Sequence, residues 1–168
     1  MPVIPLRVLT LIVISPAQPS VLVLEPVEEN PEGKSRVVPI WIGPQEAMQL
    51  GIAIEHVRMP RPTTHDLFLD TLTNLDTRVD HVVINDVKGQ TFFAKLTLRQ
   101  GARLVELDAR PTDALSLALR QEAPFYIEED VLEKASFPYL FKKNHSEEAE
   151  LQEFHTFIER LKPEDFGE

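Results

Sequence analysis

The stretch RVDHVVINDVKGQTFFAKLTL (residues 78–98) decides the fold class. Two runs rich in valine, phenylalanine and threonine flank a Lys-Gly pair, which is typical of two β-strands joined in a hairpin. In the second run, Phe92 and Ala94 alternate with Phe93 and Lys95, so the two faces of the predicted sheet differ in character. The pattern therefore predicts a pair of antiparallel strands joined at Lys88-Gly89.

Further strands and helices are predicted on both sides of this hairpin. Helices over 45–57 and 110–121 are apolar nearly all round, so we expect them deep in the core. A helix that ends near Asn74 is expected to bury one face, made of Leu67, Phe68, Thr71, Leu72 and Leu75. Strands are predicted at 7–15, 21–26, 37–42, 103–109 and 123–127, and a short surface helix at 128–135.

The order of these elements predicts the architecture. Because the strands come in runs rather than alternating strictly with helices, the class is α+β: a mixed, largely antiparallel β-sheet with two or three buried helices and a C-terminal amphipathic helix. We predict one domain over residues 1–136. Residues 137–168 are interpreted as a polar spacer and a helical tail.

Composition limits the classes of function. Apolar residues make up 43% of the 168 residues, enough for a real core, and there is no cysteine. The chain therefore has no disulfide, no thiolate zinc site and no cysteine nucleophile. The apolar N-terminal run is interrupted by Arg7 and is too short to cross a bilayer. We predict a cytoplasmic protein with no membrane partner.

The net charge is −10, of which residues 1–127 carry −3 and residues 128–168 carry −7. Most non-specific affinity for nucleic acid comes from neutralised phosphates, so an acidic chain is a poor passive binder. Action on DNA or RNA would require a local basic patch or a bridging metal. The sequence contains no P-loop, no dinucleotide-binding fingerprint and no serine elbow.

A short pattern recurs as RPTTHD (61–66) and RPTDA (110–114). Threonine caps helices, and an acid in the first turn favours the helix N-terminus, so Thr63 or Thr64 followed by Asp66 predicts a helix start. We call these two segments the Arg-Pro-Thr corners. Capping requires neither arginine nor histidine, yet both residue types occur there. If the corners meet in space, two helix N-termini point at one cleft, which makes an anion site. We expect His65 and Asp66 to face that cleft.

Three blocks of the sequence are similar to those of a known family. PIWIGPQEA (39–47), PRPTTHDL (60–67) and DARPTDALSLALR (108–120) resemble the signature blocks of the bifunctional nuclease family, also called the BFN domain. The hairpin VVINDVKGQTFFAKLTL (82–98) also looks like that family's central hairpin, and the resemblance covers roughly residues 3–135. It implies a nuclease that hydrolyses DNA and RNA.

The resemblance also implies site residues, which are the polar positions of the matched blocks: Glu46, His65, Asp66, Arg110 and Asp113. The hypothesis gives a divalent metal, Mg²⁺ or Mn²⁺, to the three carboxylates, where it would polarise the phosphate and lower the pKa of a bound water. His65 would accept or donate a proton. Arg110, together with Arg61, would hold the phosphate.

A second function fits the same residues. The chain would then be a non-catalytic homo-oligomeric module that binds an anionic ligand or a protein partner at these corners. In that case the acids would form helix caps and arginine pairs instead of converging on a metal. With either function we expect a homo-oligomer, most simply a dimer, because closed two-fold symmetry is the commonest arrangement.

Overall fold

The chain folds around one sheet of eight strands, with four helices among the residues that the structure describes. The structure is a computed structural model that describes residues 2–28, 31–32, 35–139 and 156. The strands are β1 (Val3–Ile12), β2 (Ser20–Pro26), β3 (Ser35–Ile42), β4 (Thr77–Lys88), β5 (Thr91–Gln100), β6 (Arg103–Ala109), β7 (Phe125–Glu128) and β8 (Phe137–Tyr139). The helices are α1 (Pro44–Ile54), α2 (Thr64–Asn74), α3 (Pro111–Arg120) and α4 (Glu129–Ala135).

The strand order confirms the predicted class. Across the sheet it is β6-β5-β4-β7-β1-β2-β3-β8. The pairing of β4 with β7 is parallel, and the other neighbouring strands are antiparallel. The fold is therefore α+β with a mixed, largely antiparallel sheet.

The central hairpin is confirmed. β4 and β5 pair from Thr77 opposite Gln100 to Lys88 opposite Thr91, which leaves Gly89 and one further residue as the loop. Gly89 has φ 60°, a left-handed conformation that costs glycine little because it has no Cβ.

Helix α3 lies deep in the core, as predicted. Ala114, Leu115, Ser116 and Ala118 are almost completely buried, and the helix packs against β4, β5 and α1. The burial of α3 brings its N-terminus close to the N-termini of α1 and α2, which pack beside it.

The structure corrects two predictions about burial. Helix α1 is buried on one side only. It packs Ala47, Leu50 and Ala53 against α3 and β2, while Met48 on its other side is exposed. Helix α2 buries Leu69 and Leu72. The remaining members of its predicted buried face are exposed, namely Leu67, Phe68, Thr71 and Leu75. The periodicity of the sequence identifies an apolar stripe on α2, but in the folded chain most of that stripe faces away from the core.

The sheet also continues past the predicted domain boundary. Residues Phe137–Tyr139, interpreted from sequence as spacer, pair with β3 as β8. Apart from Thr156, the predicted tail helix over 147–161 lies outside the described residues. Within the part of the chain that is described, no helix is both long and apolar enough to span a membrane.

Candidate functional site

Three helices carry an acid at the third helical position, and all three acids were predicted site residues. They are Glu46 on α1, Asp66 on α2 and Asp113 on α3. A carboxylate in the first turn is stabilised by the unpaired backbone N–H groups and the positive end of the helix dipole. The helix starts therefore explain why acids are found here, and their contacts decide what each acid does.

The carboxylate of Asp66 closes the start of α2. Thr63 is the N-cap and forms the predicted capping box with Asp66. The backbone N–H and the hydroxyl of Thr63 both donate to Asp66 Oδ2 at 2.9 Å, and Arg120 Nε donates to Asp66 Oδ1 at 3.1 Å. Asp66 therefore contacts Arg120 and its own cap, and no hydrogen bond among the described residues joins it to Asp113.

Sequence reasoning missed Arg120. Its side chain is only 9% exposed and joins three helices. Besides Asp66 on α2, it donates to Gln49 Oε1 on α1 at 2.9 Å and to the Ser116 carbonyl on α3 at 3.0 Å. The helix dipole favours a cation in the last turn of any helix, so an arginine at position 120 does not stand out in the sequence.

The corner at the start of α3 is organised around Arg110. Its Nε and Nη2 donate to the two oxygens of Asp113 at 2.8 and 3.2 Å, and its Nη1 donates to Glu46 Oε1 at 3.1 Å. The Nε2 atom of His65 lies 3.3 Å from Asp113 Oδ1. The structure thus brings together Glu46, His65, Arg110 and Asp113, which we call the Arg110 cluster.

Arg61, in the first corner, and Asp108, two residues before the second corner, lie outside this cluster. Arg61 and Asp108 are exposed, and neither contacts the Arg110 cluster by a hydrogen bond in the described structure. The prediction that the two Arg-Pro-Thr corners adjoin is confirmed through His65 and Asp113.

The charges of the cluster stabilise one another. Burial raises the pKa of Asp113, but hydrogen bonds from Arg110 and His65 outweigh it, so this pKa lies below its usual value. Burial also raises the pKa of Asp66, but the hydrogen bonds from Thr63 and Arg120 have the larger effect, so this pKa is lowered as well. The pKa of Arg110 is raised, first by Asp113 and then by Glu46. These groups are therefore ionised at neutral pH.

Arg110 and His65 differ in access to solvent. The side chain of Arg110 is 62% exposed, and its three contacts use three of the five N–H groups of a guanidinium. The His65 side chain is only 18% exposed, and its Nδ1 is buried without a hydrogen-bond partner among the described residues. In a catalytic triad of the serine-protease kind, one ring nitrogen of the histidine contacts the carboxylate and the other faces the reacting group. In His65 the nitrogen that does not contact Asp113 is buried, so its geometry does not match such a triad.

Gly43 makes room for the Glu46 carboxylate. A Cβ on Gly43 would collide with Glu46 Oε2, whereas the backbone of Gly43, with φ −72°, is ordinary. The Gly-Pro-Gln-Glu start of α1 therefore lets Glu46 fold back over the helix start toward Arg110.

The predicted metal site does not fit this arrangement. Both oxygens of Asp66 are bound by Thr63 and Arg120, whereas Glu46 and Asp113 are bound by Arg110. Over the described residues, no group of three or more histidine, aspartate and glutamate side chains is placed to hold a metal ion. As arranged, the three carboxylates hold arginines and a helix cap.

The comparisons with known proteins agree with the three motif blocks. The bifunctional nuclease domain matches residues 27–139, which include the whole Arg110 cluster. An uncharacterized protein of Mycobacterium tuberculosis strain H37Rv is 36% identical over 138 residues, which are 78% of this chain and 81% of the relative. Bifunctional nuclease 1 of Oryza sativa subsp. japonica is 24% identical over 99 residues, 57% of this chain but 30% of the rice protein. The chain belongs to the bifunctional nuclease domain family.

Proposed function

We propose that the chain is a nuclease that hydrolyses phosphodiester bonds of DNA and RNA at the Arg110 cluster. The observation that carries the proposal is the convergence of the two Arg-Pro-Thr corners, where an exposed arginine is held beside His65 and Asp113. The name of the rice relative, Bifunctional nuclease 1, supports the same activity.

Arg110 is the group assigned to the phosphate. During hydrolysis a water oxygen bonds to phosphorus, the bond from phosphorus to the leaving sugar oxygen breaks, and negative charge grows on the phosphoryl oxygens. A guanidinium held in place before the reaction stabilises that charge. Arg61 forms no hydrogen bond with the Arg110 cluster in the described structure, so we assign the phosphate to Arg110 alone.

His65 is the candidate for proton transfer to the leaving oxygen. Its Nδ1 is buried, so the proton would pass through Nε2, the atom that now contacts Asp113. Asp113 therefore holds the ring in place and must exchange that contact when the substrate is bound. The divalent-metal requirement remains a prediction, and no step of this mechanism depends on it.

One observation favours the second function, a binding module without catalysis. The acids that would hold a metal instead form a helix cap and arginine pairs. Such a module would bind an anion through the same exposed Arg110, and it would release the anion chemically unchanged.

Cleavage of a labelled single-stranded DNA and of an RNA of the same sequence tests the proposal. Each substrate is incubated with Mg²⁺, with Mn²⁺ and with EDTA. Wild type should cleave both, whereas Arg110→Ala and Asp113→Asn should lose cleavage. Arg110→Lys should retain charge but lose most activity, because lysine cannot make the two-pronged contact. Arg103→Ala, an exposed arginine at the start of β6, is the matched control and should cleave like wild type.

Binding of the same oligonucleotides in EDTA separates the two functions. Loss of one phosphate contact in Arg110→Ala should weaken binding and reduce the slope of log K against log salt by about 1. Wild type that binds with this salt dependence but leaves the strand intact under all three ion conditions would establish the binding module. Wild type that neither binds nor cleaves would rule out both functions.

A further inference from the structure

The outer face of α2 is an apolar stripe that the described residues leave exposed. It consists of Leu67, Phe68, Thr71 and Leu75, spaced three or four residues apart and therefore on one side of the helix. Leu67 and Leu75 are each 59% exposed, although the buried side of the same helix holds Leu69 and Leu72. Single exposed apolar residues are ordinary, but a continuous stripe of this kind marks an interaction surface.

Charged groups lie at the two ends of this stripe in an unusual order. Arg58 and Arg61 precede the N-terminus of α2, and Asp76 follows its C-terminus. All three are exposed, and none forms an ion pair with another described residue. Cations before an N-terminus and a carboxylate after a C-terminus are the reverse of what the helix dipole favours. The dipole of α2 itself therefore gives no reason for these charges.

An antiparallel second copy of α2 does give such a reason. Helix α2 is about 16 Å long at 1.5 Å per residue, and a two-fold axis through its middle places the start of one copy beside the end of the other. Arg61 of each copy then meets the partner's Asp76, and the apolar stripes face each other. Opposite charges at both ends would also select the antiparallel direction over the parallel one.

We propose that the chain forms a two-fold dimer through the α2 stripe, with antiparallel α2 helices and an Arg61–Asp76 ion pair at each end. The interface is isologous, so both copies contribute the same residues. This inference does not depend on the nuclease activity. It assigns the predicted dimer to a surface that the sequence analysis had placed inside the core.

The molecular mass and dimer dissociation constant, measured by sedimentation equilibrium on the full chain, test the interface. Wild type should have the mass of two chains at high micromolar concentration. Leu67→Asp should weaken the dimer about 30-fold or more if the stripe is its centre. Leu104→Asp is the matched control, because Leu104 is a similarly exposed leucine on the edge strand β6. Far-UV circular dichroism of each variant establishes that the comparison is made between folded chains.

A double-mutant cycle on Arg61→Gln and Asp76→Asn tests the predicted direction of packing. Asparagine is chosen because residue 76 has φ 52°, which asparagine tolerates. Each single change removes both symmetry-related ion pairs and should weaken the dimer about two- to thirtyfold, and the double change should weaken it no further.

Three results would overturn the proposal. The first is a wild-type mass of one chain at all concentrations. The second is dissociation by Leu104→Asp with Leu67→Asp still dimeric, which would place the interface on β6. The third is strictly additive effects of the Arg61 and Asp76 changes, which would exclude the antiparallel pairing of α2.

Discussion

Replacing Arg120 by methionine should destabilise the fold even though no sequence motif includes it. Methionine keeps most of the apolar stem but removes the guanidinium that joins Asp66, Gln49 and the Ser116 carbonyl. Removing one partner of a fully buried ion pair costs about 3–5 kcal/mol. Because Asp66 is 34% exposed, water takes over part of the lost interaction, and we expect a loss of about 2–3 kcal/mol.

Urea denaturation followed by circular dichroism measures this loss in wild type, Arg120→Met, Asp66→Asn and the double variant. For a chain of this size the change corresponds to a melting temperature lower by roughly 5–10 °C. Because Arg120 and Asp66 contact each other, the double variant should lose less than the sum of the singles, by about 1 kcal/mol. Arg103→Met, at an exposed arginine, should stay within about 0.5 kcal/mol of wild type. Full stability of Arg120→Met, or additive losses, would refute the role of Arg120 in joining the three helices.

Three further predictions concern pH, the Glu46 carboxylate and the tail. The pKa values of Asp66 and Asp113 are lowered in the folded chain, so their contribution to stability is present above the unfolded pKa of about 3.9 and is lost as pH falls below it. Asp66→Asn should therefore flatten the plot of melting temperature against pH between pH 6 and pH 3. An unchanged slope would show that ionised Asp66 does not stabilise the fold. Gly43→Ala should displace the Glu46 carboxylate from Arg110 and alter oligonucleotide binding. The free energy of unfolding should change by less than about 0.5 kcal/mol. Unaltered binding would show that the Glu46–Arg110 contact is dispensable for binding. Removal of the chain from Glu147 onward should leave a single cooperative thermal transition, since the described sheet and helices lie before it, and loss of that transition would make the tail part of the core.

The sequence by itself determined the elements and the start of each motif helix. The Lys-Gly hairpin, the buried α3 and the capping box of Thr63 with Asp66 depend on local preferences: alternation, a continuous apolar run and the affinity of a carboxylate for free N–H groups. These preferences act over a few residues, so they can be read along the chain.

Only the tertiary structure decided how the side chains are shared between helices. Asp66 and Asp113 occupy the same helical position and look equivalent in sequence, yet one binds Arg120 and the other binds Arg110 and His65. The same limit applies to α2, whose apolar stripe faces outward. Periodicity shows that a helix has an apolar face, but the rotation of that helix against its neighbours depends on long-range packing, which here includes the contacts of Arg120 with Asp66 and Gln49. That rotation determines which residues form the site and which remain exposed for a partner.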